Sequence, residues 1–297
     1  MRKPSAILPR MRAKPTISIV GAGNLANALA IALRRAGYKI DEIAARSAGV
    51  SLNTAKTLAR KASARASLVS AAALRSKIVW FCVPDSEIAH AAAALAVRLN
   101  WKQKIALHSS GALASDELAV LRRQGASVAS VHPLMTFVRD SQPSLQSVPF
   151  AIEGDGPAVR VAHRIVKDLG AIAYPIRKPD KPAYHAWGTF ASPLVTALLA
   201  TTERVAEAAG VEPSAARRRM IPILIQTLAN YAAFGAPGAF SGPIVRGDVD
   251  TVKRHLQVLR MEPAAREVYL ALGRAALRYL PAKNKTLLKR ILDSARR

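Results

Sequence analysis

Residues 16–30 read Thr-Ile-Ser-Ile-Val-Gly-Ala-Gly-Asn-Leu-Ala-Asn-Ala-Leu-Ala. A β-branched apolar run that passes through a glycine turn into an alanine-rich stretch is a strand, a tight turn and a helix in succession. Gly21, Gly23 and Ala26 hold the positions of a G-x-G-x-x-A fingerprint, with Asn24 and Leu25 opening the helix between them. In that pattern the first glycine permits the turn, the second leaves room for a pyrophosphate against the backbone, and the alanine lets helix and strand pack closely. The free N–H groups and dipole of the helix N-terminus favour the phosphate charge. The competing reading is a glycine turn that holds no ligand.

The βα alternation continues. Gly37 is placed to end the first helix, and Lys39–Arg46 reads as a second strand, followed by a helix over Thr54–Ala62. Ile78–Val83 is a continuous apolar run of the kind buried on both faces of a parallel sheet, and Lys104–His108 and Val128–His132 look like two more strands. Ser115 is expected to cap a helix whose first turn carries Asp116 and Glu117. Two further strands, Phe150–Glu153 and Ala171–Ile176, complete an α/β, Rossmann-type doubly wound sheet. Beyond the polar hinge at residues 177–182 only helical periodicity remains, in segments at about 184–209, 214–234, 249–259, 263–280 and 285–296. The expected organisation is a disordered basic tail (1–14), a dinucleotide-binding domain (15–176) and an all-helical substrate or dimerisation domain (177–297).

Composition narrows the function classes. The longest apolar runs, such as Ile78–Val83 and Leu194–Ala200, fall well short of a bilayer span, so no membrane association is expected. The only cysteine, Cys82, lies in an apolar strand; it allows no intrachain disulfide and no cysteine metal site, which suits a cytoplasmic protein and leaves no metal expected. The formal net charge of +25 attracts polyanions generally, yet the basic residues are dispersed and no basic stripe alternates with aromatics. Nucleic-acid binding is therefore expected only as a non-specific, salt-sensitive effect.

Where an NAD site usually places a carboxylate at the end of the second strand, this chain has Ala45, Arg46 and Ser47, while Asp41 and Glu42 lie too early. A guanidinium and a hydroxyl suit a ribose 2′-phosphate, so NADP(H) is favoured over NAD(H). An exposed Arg46 with no ligand is the alternative. Val83 and Pro84 follow the third buried strand where a loop would line the nicotinamide, with Asp85 open to a capping role. His108, Ser109, Ser110 and Gly111 stand at the end of the next strand, suited to a substrate carboxylate or carbonyl, or simply to a turn. His132 repeats the position one strand later. Lys181 and His185, four apart on a helix, share a face and are candidate proton donors to a reduced substrate, with Ser110 and His132 completing the candidate catalytic set.

Taken together, His-Ser-Ser-Gly-Ala-Leu at 108–113, Val-His-Pro-Leu at 131–134, Tyr-His-Ala at 184–186 and Ser-Gly-Pro-Ile-Val-Arg-Gly-Asp at 241–248 resemble the Rossmann-like oxidoreductases that carry domain of unknown function 2520. The resemblance runs from Thr16 to about Leu272. It implies an NADP-type domain, a helical C-terminal domain that dimerises, and kinship with pyrroline-5-carboxylate reductases and β-hydroxyacid dehydrogenases. In those relatives a serine-containing loop holds substrate and a basic residue at the start of the helical domain assists proton transfer; Ser109, Ser110 and Lys181 match those places. The chain departs from the family at Ser192-Pro193, where Ser-Asn is usual. Proline removes a donor and bends the helix, so a polar role for that asparagine is not carried over. The leading expectation is an NADP(H)-dependent reductase of a small carbonyl or imine substrate, an oxo acid foremost. A dinucleotide-binding sensor without catalysis and a basic nucleic-acid-binding protein are the alternatives.

Overall fold

The computed structural model describes residues 13–295. Eight strands, β1 (Ile17–Val20), β2 (Ile40–Ala45), β3 (Arg65–Leu68), β4 (Ile78–Phe81), β5 (Ile105–His108), β6 (Ser127–Pro133), β7 (Pro149–Gly154) and β8 (Ile172–Pro175), form one sheet in the order β3-β2-β1-β4-β5-β6-β7-β8. Every neighbouring pair is parallel except the antiparallel β6–β7. The connecting helices are α1 (Asn24–Arg35), α2 (Val50–Ala62), α3 (Asp85–Ala96), the short α4 (Ala119–Arg123) and α5 (Gly156–Asp168). Strand β3 and helix α3 were not expected. Leu68 is the strongest apolar residue of β3, and α3 is so rich in alanine that its polar face does not stand out.

The apolar runs have a simple cause. On β4, Ile78 and Trp80 enter one core while Val79 and Phe81 enter the other, and all four are buried. Ile17 and Ile19 against Val20 divide β1 in the same way. A strand sandwiched between helices buries both faces, so period-two alternation disappears. Each such side chain contributes on the order of 1.5–3 kcal/mol.

The order reverses at β1, whose neighbours are β2 and β4, and this places a crevice beyond the carboxyl ends of β1 and β4. Gly21 and Val83 follow those two strands.

Several local expectations are corrected. Ser115 does not cap a helix: the segment starts as a 3-10 turn (Ser115–Leu118), and the Ser115 hydroxyl donates instead to Glu153 Oε2 at 2.8 Å. The basic tail ends before Lys14, which is fixed to Asp168 and to the Ala36 carbonyl, each at 2.7 Å; residues 1–12 of the expected tail lie outside the described residues. The first compact unit runs to Thr189. Helix α6 (Lys181–Ala191) is drawn into it because Lys181 and Tyr184 are buried there.

The second unit, from Phe190, holds α7 (Pro193–Ala208), α8 (Pro213–Ala239), α9 (Pro243–Arg246), α10 (Val249–Val258), α11 (Pro263–Tyr279) and α12 (Lys285–Ser294). Pro193 begins α7 and separates it from α6, so the expected single helix over 184–209 is two. Asp248 caps α10 by accepting from the Thr251 amide at 3.1 Å. Val252, Leu256, Leu270, Leu288 and Leu292 form the core of this unit. Helix α8 contributes only Ala216 as a buried residue, and Ile223, Leu228 and Phe234 are each more than 60% exposed. No helix among the described residues is long and apolar enough to cross a membrane.

Candidate active site and nucleotide cleft

A cleft of about 690 Å³ opens at the switch point, lined by Gly21, Ala22 and Gly23 on one side, Arg46 at the end of β2, and Val83 and Pro84 after β4. Gly21 has φ +107°, and an added Cβ would collide with the Cys82 carbonyl, so the fold alone demands glycine there. Gly23 is different. Its φ is −73° and an added Cβ would meet nothing within 4 Å. Open space above a backbone at the N-terminus of a twelve-residue helix fits a pyrophosphate, and the residues present therefore accommodate a dinucleotide. Ala26 is fully buried and allows α1 to lie against the sheet.

Arg46 lines the cleft, is largely exposed and lies 3.3 Å from Glu87 of α3. The two earlier carboxylates are committed elsewhere. Glu42 is buried and accepts from the Leu74 amide at 2.8 Å, and Asp41 pairs with Arg65 at 3.4 Å. Four residues expected at the cofactor do not line the cleft, the buried Ala26 among them. Asn24 donates its side-chain amide to the Phe137 carbonyl at 3.2 Å, Leu25 packs against the core, and Ser47 is exposed outside it. Ser51 and Thr54 of α2, together with Ser70 and Glu87, line it without having been anticipated. Their spacing carries no motif, and only the turn of α2 brings Ser51 and Thr54 to one side. Cys82 also lines the cleft, but burial pushes its thiol pKa up, away from the reactive thiolate.

The carboxyl ends of β5 and β6 carry a second set. His108 is fully buried with both nitrogens used: Nε2 lies 3.0 Å from the Ala114 carbonyl and Nδ1 accepts from the Ser110 amide at 3.1 Å. Burial lowers its pKa to about 4, so the ring is neutral near pH 7 and both its nitrogens hold the turn. Ser109 accepts from the Trp80 indole at 2.8 Å. The Ser110 hydroxyl donates to Asp85 Oδ2 at 2.7 Å and accepts from the Leu113 amide at 2.8 Å. These bonds tie the loop after β4 to the loop after β5. The hydroxyls of Ser109 and Ser110 thus build the turn, the alternative the sequence left open.

Lys181 is fully buried. Its ammonium donates to the Ser110 carbonyl at 3.0 Å and to Ser130 Oγ at 2.8 Å. Burial depresses its pKa to about 8, against the pull of Glu153 and Asp85. His185, one turn later, is exposed. The two residues share a helix but not an environment, which corrects the expectation that both project into an open cleft.

His132 is half-buried. Its Nδ1 lies 2.9 Å from the Tyr184 hydroxyl, and its ring meets that of His185 at 6.3 Å between centroids. Gly111 sits against both rings, and a Cβ there would come within 2.8 Å of His132 Nε2 and 2.7 Å of His185 Cδ2. Gly111, His132, Tyr184 and His185 therefore converge. Burial, followed by the charge of Lys181, lowers the His132 pKa to about 4. Tyr184 and Ser130 lie outside the residues that the sequence singles out for the site, Tyr184 entering only through the Tyr-His-Ala motif. Among the described residues no cluster of side chains is arranged to hold a metal.

Comparison with known proteins gives a consistent result. A Rossmann-like domain matches residues 1–133, and a domain of unknown function (DUF2520) matches residues 148–276. No curated protein sequence matches the chain. Among solved structures, a Bacteroides fragilis protein provisionally named an NADP oxidoreductase is 21% identical, with a TM-score of 0.76 over 89% of this chain and 98% of that one. An imine reductase from a Pseudomonas species is 20% identical, with a TM-score of 0.62 over 96% and 100%. A reductive aminase from Aspergillus terreus, in complex with NADPH and ethyl-5-oxohexanoate, is 12% identical, with a TM-score of 0.64 over 93% and 99%. At such identities the likeness establishes the α/β fold. With sheet, fingerprint and domain matches in agreement, the chain carries a Rossmann-like domain over residues 1–133 followed by a domain of unknown function (DUF2520) over residues 148–276.

Proposed function

We propose that the chain is an NADP(H)-dependent reductase acting on a small carbonyl or imine compound, an oxo acid foremost. The observation that carries the reading is the empty space over Gly23, at a helix N-terminus in a cleft whose far wall bears Arg46. With Glu42 and Asp41 bonded elsewhere, Arg46 is the residue at the end of β2 that faces a ribose 2′ substituent, which favours NADP(H) over NAD(H). The solved relatives named above, two of them titled reductase or aminase and one holding NADPH, point the same way.

Gly21 and Gly23 seat the pyrophosphate, the buried Ala26 lets α1 approach the sheet beneath it, Arg46 binds the 2′-phosphate, and Val83 and Pro84 border the nicotinamide. Bound there, the reduced nicotinamide supplies a hydride to the substrate carbon. His132 and His185 hold the substrate heteroatom beside Gly111, and the exposed His185 relays the balancing proton from solvent. Lys181 and Ser110 act as positioning residues: the ammonium holds the Ser110 carbonyl, and the Ser110 hydroxyl holds Asp85 next to the nicotinamide loop. The single buried cysteine fits a reducing, cytoplasmic setting.

The same reading includes a homodimer formed through α8, whose Ile223, Ile225, Leu228, Tyr231 and Phe234 are all at least 60% exposed. Polyanions bind only through the dispersed positive charge.

The test is a titration of NADPH and NADH into the purified full chain, with Arg46→Ala in parallel. Selective NADPH binding that Arg46→Ala weakens supports the assignment and opens a screen of oxo acids and imines. Failure of both cofactors to bind refutes it.

A further inference from the structure

The Tyr184 phenol is buried and lies 2.9 Å from His132 Nδ1, with the Tyr174 hydroxyl as its other polar neighbour. A buried O–H needs an acceptor, and the Tyr174 oxygen is the alternative to His132 Nδ1. Tyr174 stacks edge-on at 6.4 Å between centroids, and its own buried O–H has no other partner among the described residues, so it finds an acceptor only by donating to the Tyr184 oxygen. The Tyr184 proton therefore points to Nδ1, which must be the bare nitrogen of the imidazole. Nε2 then carries the ring's remaining proton. That nitrogen has no bond to any described residue and stands over the Gly111 turn beside His185.

We propose that Tyr184 is a positioning residue that fixes His132 in its Nε2–H tautomer, so that the site presents a neutral imidazole N–H to an acceptor atom of the substrate. This deepens the reductase reading, on which it rests, by naming a substrate class. A carbonyl oxygen of an oxo acid accepts from such an N–H in the ground state and more strongly as negative charge develops on it during hydride transfer. An iminium nitrogen, having no lone pair, does not. The groups facing the ring agree with a neutral imidazole: Lys181 and His185 from α6 and His108 from β5 all oppose a second positive charge, and Tyr184 stays protonated because burial, with Tyr174 beside it, raises its pKa.

The experiment is nitrogen-15 correlation spectroscopy of histidine-labelled full-length protein near neutral pH, which separates proton-bearing from bare ring nitrogens. His132→Gln identifies the signal. The expected wild-type result is a proton-bearing Nε2 and a bare Nδ1. In Tyr184→Phe the tautomer ratio moves toward Nδ1–H by about fivefold, the worth of one net hydrogen bond. A wild-type His132 protonated at Nδ1, or a doubly protonated ring, overturns the proposal even if Tyr184→Phe does not fold. An unchanged ratio in folded Tyr184→Phe overturns it too. The measurement needs neither cofactor nor turnover, so a failure of NADPH to bind would remove the reductase reading and leave this result intact.

Discussion

Two glycines two residues apart are expected to fail in opposite ways when each is replaced by alanine. At Gly21 the backbone φ of +107° is one that L side chains rarely adopt, and the new methyl would be driven into the Cys82 carbonyl, whose carbon lies 2.8 Å away. That carbonyl cannot retreat freely, because the Cys82 amide donates to the Val20 carbonyl at 2.7 Å and holds the backbone beside β1. Strain of about 1–3 kcal/mol from the dihedral, added to about 1–3 kcal/mol from overpacking, removes a large part of a typical stability of about 5–15 kcal/mol. At Gly23 the φ of −73° is ordinary and the methyl meets nothing. Alanine there is a poorer helix N-cap than glycine and costs at most about 1 kcal/mol. It does occupy the space assigned to the pyrophosphate, and a displacement costing about 1.4–2.8 kcal/mol weakens NADPH by about tenfold to a hundredfold. Urea denaturation and fluorescence titration with NADPH, run on both variants, separate the effects. The reasoning is refuted if Gly23→Ala loses as much stability as Gly21→Ala while binding NADPH like the wild type.

Other expectations follow from single groups. Arg46→Ala should weaken NADPH by about tenfold or more and leave NADH within about threefold, since a charge-assisted contact to a phosphate is worth about 1.5–3 kcal/mol; equal losses for both cofactors in the titration would show that Arg46 does not read the 2′ position. Lys181 has a folded pKa of about 8 against an ordinary 10.5, so the unfolded chain binds more protons between these values and stability should rise by about 3 kcal/mol as pH increases through that window. Denaturation midpoints that show the same rise in Lys181→Met would assign it to another group. His108, lowered from 6.5 to about 4, works at the acid side with the same sign: stability falls by up to about 3 kcal/mol as pH drops from 6.5 toward 4, and a flat acid limb in urea titrations would contradict its neutral, buried state. If α8 seats a second copy, light scattering should give twice the chain mass for the wild type and a smaller value for Ile223→Asp with Leu228→Asp; a wild-type monomer would remove the dimer.

The legibility of this chain follows from how local each signal is. The fingerprint at residues 21–26 is a contiguous strand–turn–helix, and its glycines answer to constraints within a few residues, so the sequence announces them. The buried runs at 78–81 and 105–108 announce a parallel sheet for the same reason. Strand β3 was hidden because Arg65 and Ser67 interrupt a short edge segment whose pairing with β2 is settled only in the assembled sheet. Ser115 looked like a cap because serine before two acidic residues usually is one; the buried Glu153, 38 positions away, takes its hydroxyl instead.

The site residues divide along the same line. Their positions at strand ends were visible, but their roles depend on what lies across the sheet. Ser109 and Ser110 look like ligands until Trp80 and Asp85, from the loop and strand before them, claim their hydroxyls. Lys181 and His185 look equivalent at a spacing of four, yet one is sealed against Ser130 and the other is open to solvent. Once those groups are withdrawn, His132 Nε2 is left facing the Gly111 turn without a partner among the described residues, beside the exposed His185, and on the proposal above its protonation is decided by Tyr184, 52 positions further along the chain. Chemistry at this site therefore turns on the hydrogen bonds that consume its neighbours. On the proposed reductase reading, a site that assigns two serines and a lysine to the scaffold leaves an imidazole to meet the substrate, and the tautomer of that ring sets the choice between carbonyl and iminium.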